Sequence, residues 1–459
     1  MSVDIQFLGA SGTVTGSKFL LRSSKHNILI DAGMFQGDRN WREKNWHTPD
    51  FDLKTVDAVL LTHAHIDHIG ILPRYRALGL KCPVFLTKSS ALLGELLLID
   101  SAKLQEEEAE YRRERKKSRH DPPLPLYSEK DAIDTISLFR KVDFDKQYEI
   151  LPKVKAQWTR MGHIAGAGSI NLEIEGKRVT FSGDVGRYNV PILKDPQPVE
   201  LGDLLLLEST YGNRLHNKED PKLKLAEVID KTAKRKGVVI IPSFAVGRAQ
   251  LLLYYLRELK EAKSISDIPV IVDSPMAVQA TSVYSQAVDE YDEKSINIIK
   301  EGKQPFQCSK LYFTKDRSES IKLNNIDEPM IIISASGMLS GGRILHHLKH
   351  RISDPRNTIL FVGYQPPGGR GAWIKSGATS LRIIGDEVAI RAEIEELSSL
   401  SAHADQNELL RWCSSCKGKP GKVAVVHGEP ESAESFSQAL KDELDWDAYV
   451  PAYLEKKSV

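Results

Sequence analysis

Cysteine is scarce in this sequence: four residues in a chain of 459. That is too few for the disulfide framework of a small secreted domain and fits a reducing, cytoplasmic compartment. The C-x-x-C formed by Cys413 and Cys416 has no second pair. It is read as small residues near a helix end, ahead of Gly418 and Pro420, rather than as a redox or metal motif. Long apolar runs are missing too. None approaches the roughly 20 residues needed to span a bilayer, and the opening residues lack a basic segment leading into an apolar one, so neither a membrane span nor a signal peptide is expected. An excess of one charge is also absent, since 63 basic and 62 acidic side chains leave a formal net charge of +1. This excludes a generally basic nucleic-acid coat protein. It leaves room for a local basic channel, because phosphate binding depends on where charge lies. Internal repeats and low-complexity tracts are not found.

The length suits two or three domains, each with its own core. In the first 200 residues, short apolar runs at 5–8, 27–30, 58–61 and 179–181 end in polar or glycine-rich turns and read as strands. Residues 104–120 differ: they begin acidic (Glu106, Glu107, Glu108), turn basic (Arg112, Arg113, Arg115, Lys116, Lys117, Arg119) and meet Pro122, Pro123 and Pro125. A solvated charged helix and loop explains this stretch better than an RNA-contacting arm.

From about residue 209 the texture becomes strand–turn–helix. Apolar runs at 238–241, 270–272, 330–333 and 358–362 each end in small or turn-forming residues, with helical patterns after the first three, which argues a parallel α/β sheet. Ligands in such sheets bind beyond the carboxyl ends of the strands. Ser243, Ser274 and Ser336 all fall there and form a candidate phosphate-binding rim. The Gln365-Pro366-Pro367 turn, with two fixed φ angles in succession, reads as a rigid connector. After about residue 390 a further strand–loop–helix carries His403, and a strand at 423–426 ends at His427. These last units, with histidines at strand ends, resume the texture of the first domain after an insertion.

The densest chemistry lies in His63-Ala64-His65-Ile66-Asp67-His68. Four of these six residues are good zinc ligands, in a chain with 13 histidines. On extended backbone His63 and His65 point the same way, whereas Asp67 and His68, adjacent at a helix start, diverge. One strand-end loop can thus feed two metals. Nitrogen and carboxylate donors without thiolate suit zinc with a position left for water.

H-x-H-x-D-H after a strand resembles the signature of the metallo-β-lactamase superfamily. The rest of that pattern follows in order: Asp31 after its strand, His163 in Gly162-His-Ile-Ala-Gly166, and Asp184 in Phe181-Ser-Gly-Asp184. In the second half, Glu208-Ser-Thr-Tyr211, Ser401-Ala-His403 and Val426-His427-Gly-Glu429 look like motifs A, B and C of the β-CASP nucleases, which include the cleavage subunit of the pre-mRNA 3′-end processing complex and its bacterial and archaeal relatives. Ser243-Phe-Ala-Val-Gly-Arg248, Asp273-Ser-Pro-Met276 and Ser334-Ala-Ser-Gly-Met338 are shared stretches too, so the resemblance covers essentially the whole chain.

The resemblance implies an α/β protein: a metallo-β-lactamase αββα sandwich, residues 1–208 completed by 390–459, with a parallel-sheet β-CASP domain inserted at 209–389. It implies two Zn2+ ions, one on His63, His65 and His163 and the other on Asp67, His68 and His427, bridged by Asp184. Asp31 would orient ligands without being one. His403, oriented by Glu208, would protonate the leaving oxygen, a task suited to a histidine beside a carboxylate; Asp67 counts with these two as catalytic. Ser243, Arg248, Ser274 and Ser336 would grip phosphates, with a structural role as the equal alternative.

The expected substrate is single-stranded RNA, cut internally and, as a further mode, from the 5′ end. A DNA nuclease of the same family is the runner-up, but that branch usually carries valine at motif C where this chain has His427. A small-molecule hydrolase on this scaffold would not need the insertion. Archaeal relatives add KH domains before the metal domain and ribonuclease J adds a C-terminal domain. The sequence here opens on its first strand and stops soon after His427, so selectivity is expected to be weak or to come from a partner. A homodimer and RNA-processing partners both stay open.

Overall fold

The computed structural model describes residues 3–114, 123–217, 219–363, 365 and 368–459. The basic residues from Arg115 to Arg119, Pro122 and the Pro366-Pro367 connector lie outside the described residues. The chain divides into two compact units. The first comprises 1–190, 194–215 and 403–459, and the second 191–193 and 216–402.

The first unit is built on two seven-stranded sheets. In one, Lys456–Ser458, Asp4–Phe7, Phe19–Arg22 and Asn27–Ile30 pair antiparallel. Ala58–Leu60, Val84–Thr87 and Phe139–Val142 continue it in parallel. The other runs Ala448–Tyr449, Lys422–Val426, Leu204–Glu208, Lys177–Phe181, Gly168–Ile174, Val154–Arg160 and Gln147–Leu151. Period-2 alternation builds the layers. Leu204 and Leu206 face a core shared with Phe7, Ile30, Leu60, Trp158 and Phe181 of both sheets. Leu205 and Leu207 turn the other way, onto Leu409, Trp412, Phe436 and Leu440 of the helices Gln406–Ser415 and Pro430–Leu444. Leu72–Ala77, Lys88–Glu114 and Glu129–Ile136 pack together beside the first sheet. Helices outside and sheets inside make the αββα sandwich. No described helix is long and apolar enough to cross a membrane.

One pairing positions the site. Leu204–Glu208 lies between Lys177–Phe181 and Lys422–Val426, parallel to both, with Glu208 opposite Val426. The strand that precedes the second unit and the strand that follows it are therefore neighbours, and His427 emerges beside Glu208.

The second unit holds a six-stranded, all-parallel sheet in the order Leu311–Phe313, Val270–Val272, Met330–Ser334, Val238–Pro242, Thr358–Phe361 and Glu393–Glu396. Every residue of Val238–Pro242 and Met330–Ser334 is buried, as strands covered on both faces require. Glu393–Glu396 hydrogen-bonds to Thr358–Phe361 and forms one edge of this sheet.

The helix Lys88–Glu114 starts well before the charged stretch at 104. Cys413 and Cys416 lie at the end of Gln406–Ser415, and all four cysteines are unpaired. Burial pushes the Cys416 thiol up to about 11, which opposes thiolate chemistry.

Candidate metal centre

Strand ends of the first unit deliver each candidate side chain. Ala58–Leu60 runs out into His63, and His65 is the N-cap of Ile66–Ile69, which carries Asp67 and His68. His163 follows Val154–Arg160, Asp184 follows Lys177–Phe181, Glu208 ends its own strand and His427 follows Lys422–Val426. His403 precedes Gln406–Ser415 and forms an isolated bridge with Gly186. Gly183, at φ +57°, lets the Asp184 turn close on Thr62, whose Cβ would be 2.8 Å from any Cβ there.

Two clusters result. His63, His65, His163 and Asp184 offer ligand atoms within 4.8 Å of one another, and so do Asp67, His68 and His427. His65 Nδ1 faces His63 Nε2 at 3.0 Å and His163 Nε2 at 3.2 Å. In the second cluster His68 Nε2 and His427 Nε2 are 3.1 Å apart, with Asp67 Oδ2 3.6 Å from the latter. Asp184 faces both: Oδ2 lies 3.3 Å from His63 Nε2 and 3.4 Å from His163 Nε2, while Oδ1 lies 3.3 Å from His68 Nε2. Asp184 Oδ1 is buried without a hydrogen-bond partner.

Burial, then His63, pushes His65 down to about 3, and burial likewise lowers His63 and His163. Neutral rings present lone pairs. Burial works against charge on Asp184, yet His427 and His68 hold it well below the usual carboxylate range. Neutral His63 and His163 nitrogens converging on Oδ2 of a buried, ionised carboxylate, whose Oδ1 has no hydrogen-bond partner, fit borderline divalent ions, zinc included.

Asp31 touches the other side of His68. Its Oδ2 lies 2.8 Å from His68 Nδ1 and accepts from Ser17 Oγ at 2.9 Å, and its Oδ1 accepts from Thr62 N at 2.8 Å. His68 Nε2 is thereby aimed at the cluster. Glu208, buried, accepts from Val185 N at 2.7 Å and Thr210 N at 3.2 Å, and its Oε1 faces His403 Nδ1 at 3.2 Å. Burial opposes charge on His403, but Glu208 and Asp184 outweigh it and raise the ring to about 9.

Two participants escaped sequence reasoning. Thr62 Oγ1 lies 3.0 Å from each Asp31 oxygen, and Thr210 Oγ1 lies 3.1 Å from His427 Nδ1. Their signal was adjacency, since Thr62 precedes His63 and Thr210 sits inside Glu208-Ser-Thr-Tyr211.

In the second unit, the four candidate phosphate contacts are engaged locally. Ser274 caps Pro275–Gln286 by accepting from Ala277 N at 3.2 Å. Buried Ser243 donates to the Phe244 carbonyl at 3.0 Å, and Ser336 Oγ accepts from Ser340 N at 3.0 Å. Arg248, the first residue of its helix, donates to the Val362 carbonyl.

A metallo-β-lactamase sandwich with this ligand cluster defines the class, a metallo-hydrolase. Family profiles agree: the metallo-beta-lactamase superfamily matches residues 12–79, the Beta-Casp domain 249–374, and the Zn-dependent metallo-hydrolase RNA specificity domain 387–451. Ribonuclease TTHA0252 of Thermus thermophilus is 38% identical over 434 residues, covering 94% of each chain. Transcription termination factor FttA of Methanocaldococcus jannaschii is 30% identical over 467 residues, 99% of this chain and 71% of that one. An RNase J-like protein of the same organism is 29% identical, covering 97% of each. The crystal structure of a protein of unknown function from Enterococcus faecalis V583 shares the fold, with a TM-score of 0.54, 11% identity and full coverage of both chains. The chain belongs to the β-CASP ribonuclease family of metal-dependent hydrolases.

Proposed function

We propose that this chain is a zinc-dependent ribonuclease that hydrolyses phosphodiester bonds of single-stranded RNA in a reducing, cytoplasmic compartment. The observation that carries the reading is Asp184, whose two oxygens face separate histidine clusters. His63, His65 and His163 would hold one Zn2+, Asp67, His68 and His427 the other, with Asp184 shared. When bound, such a metal pair supplies activation of water at neutral pH and stabilisation of charge on phosphoryl oxygens.

The residues do the rest. Asp31 and Thr62 orient His68, and Thr210 orients His427. Glu208, fixed by two backbone N–H groups, holds His403 protonated with Nδ1 toward the carboxylate. The Nε2 proton would pass to the ribose oxygen as its bond to phosphorus breaks, while the water that adds to phosphorus gives up one proton to solvent and His403 is later reprotonated. Ser243, Arg248, Ser274 and Ser336 are proposed to contact substrate phosphates. The domain limits adopted for this reading are 1–208 and 390–459 for the metal domain and 209–389 for the insertion. Relatives named as a ribonuclease and an RNase J-like protein support an RNA substrate.

The test incubates the zinc-loaded protein with single-stranded RNA and matched DNA, labelled at either end, with and without chelator. Chelator-sensitive cutting of RNA alone is expected, and the end labels separate internal from 5′→3′ cutting. Equal cutting of DNA, or indifference to chelator, overturns the reading.

A further inference from the structure

Two tryptophans stand close together on the segment that leaves the Asp31 loop, and they are used differently. Trp41, on the helix Arg39–Lys44, stacks on Phe35 with ring centroids 5.0 Å apart and meets Tyr453 edge-on at 5.5 Å. The Lys44 ammonium lies 5.3 Å from the same indole. Trp41 is thus a packing element. Trp46 is 41% exposed. The Arg74 guanidinium lies over its ring at 5.4 Å, and Nη2 of the same arginine donates to the Trp46 carbonyl at 2.7 Å.

Short chains of contacts lead from both members of this pair toward the ligand loop His63–His68. Ahead of Trp46, Asn45 closes on Phe35 with two hydrogen bonds, accepting from its N at 2.9 Å and donating to its carbonyl at 2.8 Å. The backbone just before Phe35 runs against the ligands: Ala32 N donates to His68 O at 2.7 Å and Met34 N to Ile66 O at 3.0 Å. The approach is so close that a Cβ on Gly33 would fall 1.6 Å from the Asp67 carbonyl oxygen. Arg74 comes from the other side, on Leu72–Ala77, the helix directly after Ile66–Ile69. The residue before Trp46 and the helix that bears Arg74 therefore each adjoin a segment in contact or continuous with the loop carrying Asp67 and His68.

A singly exposed apolar residue needs no explanation. An indole backed by a tethered guanidinium, with Arg42 and Lys44 nearby in sequence and its carbonyl held by the helix that follows a candidate metal-binding loop, has the chemistry of a base-stacking contact. Every nucleobase offers a π-face, stacking tolerates sequence, and the neighbouring cations meet the phosphates. We propose that Trp46, backed by Arg74, stacks an unpaired base of the RNA that the metal centre cleaves. This rests on the ribonuclease reading and assigns it a substrate subsite.

The experiment compares wild type, Trp46→Ala and Trp46→Phe on a short single-stranded RNA and on a series carrying one abasic nucleotide at successive positions. Cleavage gives KM and kcat. Binding is read separately by fluorescence anisotropy on zinc-loaded protein carrying His403→Ala, so that RNA persists. Trp46→Ala is expected to raise KM and Kd about tenfold with kcat little changed, and Trp46→Phe to recover most of that loss. One abasic position should weaken wild type by the same factor and leave Trp46→Ala no worse. A Trp46→Ala variant that binds like wild type, or abasic positions that weaken both proteins equally, overturns the subsite while leaving the nuclease reading in place. Trp46-dependent binding without any RNA cleavage by wild type keeps the subsite and sinks the nuclease reading.

Discussion

Glu208 Oε1 lies 3.2 Å from His403 Nδ1, a contact between residues 195 apart in sequence. The carboxylate is immobilised by Val185 N and Thr210 N, and the imidazole is tied to the Asp184 loop through Ala404 N, which donates to Val185 O at 2.8 Å. A charged acceptor held this way fixes both the orientation of the ring and the face that carries its available proton. Asp184, Glu208 and His403 also approach one another closely enough to share an ion, so the pair's role has to be separated from metal binding.

His403→Ala is expected to retain two zinc ions per chain and to lose on the order of 10²- to 10⁴-fold in kcat, the usual contribution of a positioned proton donor. Elemental analysis alongside single-turnover cleavage checks this. Zinc falling to one equivalent would move His403 to the ligands.

Asp184→Asn should behave in the opposite way. An amide offers one carbonyl oxygen in place of two anionic ones, and here the two oxygens face His63 and His68 separately. Both ions are expected to weaken together, with activity lost even when the protein remains folded by circular dichroism. Retention of one tight equivalent would show that Asp184 serves only one cluster.

Asp31 acts one bond further out. It meets His68 at Nδ1, 2.8 Å away, on the side of the ring opposite the cluster. Asp31→Ala is expected to weaken zinc at the Asp67, His68 and His427 cluster by about 10- to 100-fold and to spare the His63 cluster. Titration with a competing chelator resolves the two affinities, and equal weakening of both would assign Asp31 a broader structural role.

Much of this centre was legible because its ligands sit where a strand stops. The runs before His63, Asp184 and His427 are short, apolar and closed by polar or glycine residues, so element and chemistry announce one another. The sandwich was less visible. Gly168–Ile174 and Val154–Arg160 form the longest antiparallel pair of the second sheet, yet their polar alternates (Lys155, Gln157, Asn171, Glu173) dilute the apolar signal in any short window. The helix Lys88–Glu114 was hidden for another reason. The charged-helix pattern reaches only its second half, from 104, while its more apolar first half packs near Glu129–Ile136 and the sheet. Orienting groups such as Thr62 and Thr210 carry no pattern of their own, and geometry alone identifies them.

The second unit carries a pH-dependent element that is separate from the metal clusters. Asp273, fully buried at the end of Val270–Val272, accepts from His347 Nε2 at 2.6 Å, Ser320 Oγ at 2.6 Å, Thr314 Oγ1 at 2.6 Å and Arg343 Nη1 at 2.7 Å. Burial opposes the charge, but His347, Ser320, Thr314 and Arg343 outweigh it and hold the carboxyl below the ordinary range. In the unfolded chain an aspartate titrates near about 3.9. The stabilisation is therefore complete above that value and is lost as pH falls toward the lower folded value, because the unfolded state then binds the proton more readily. Asp273→Asn removes the charge while Arg343 and His347 remain, and is expected to cost about 3 kcal/mol or more near neutral pH. Urea unfolding of both proteins from pH 7 down to pH 3 measures the gap between their stabilities. It should be widest at neutral pH and narrow only below about pH 4; a gap that stayed constant across the range would mean that the carboxylate's charge contributes nothing to the fold.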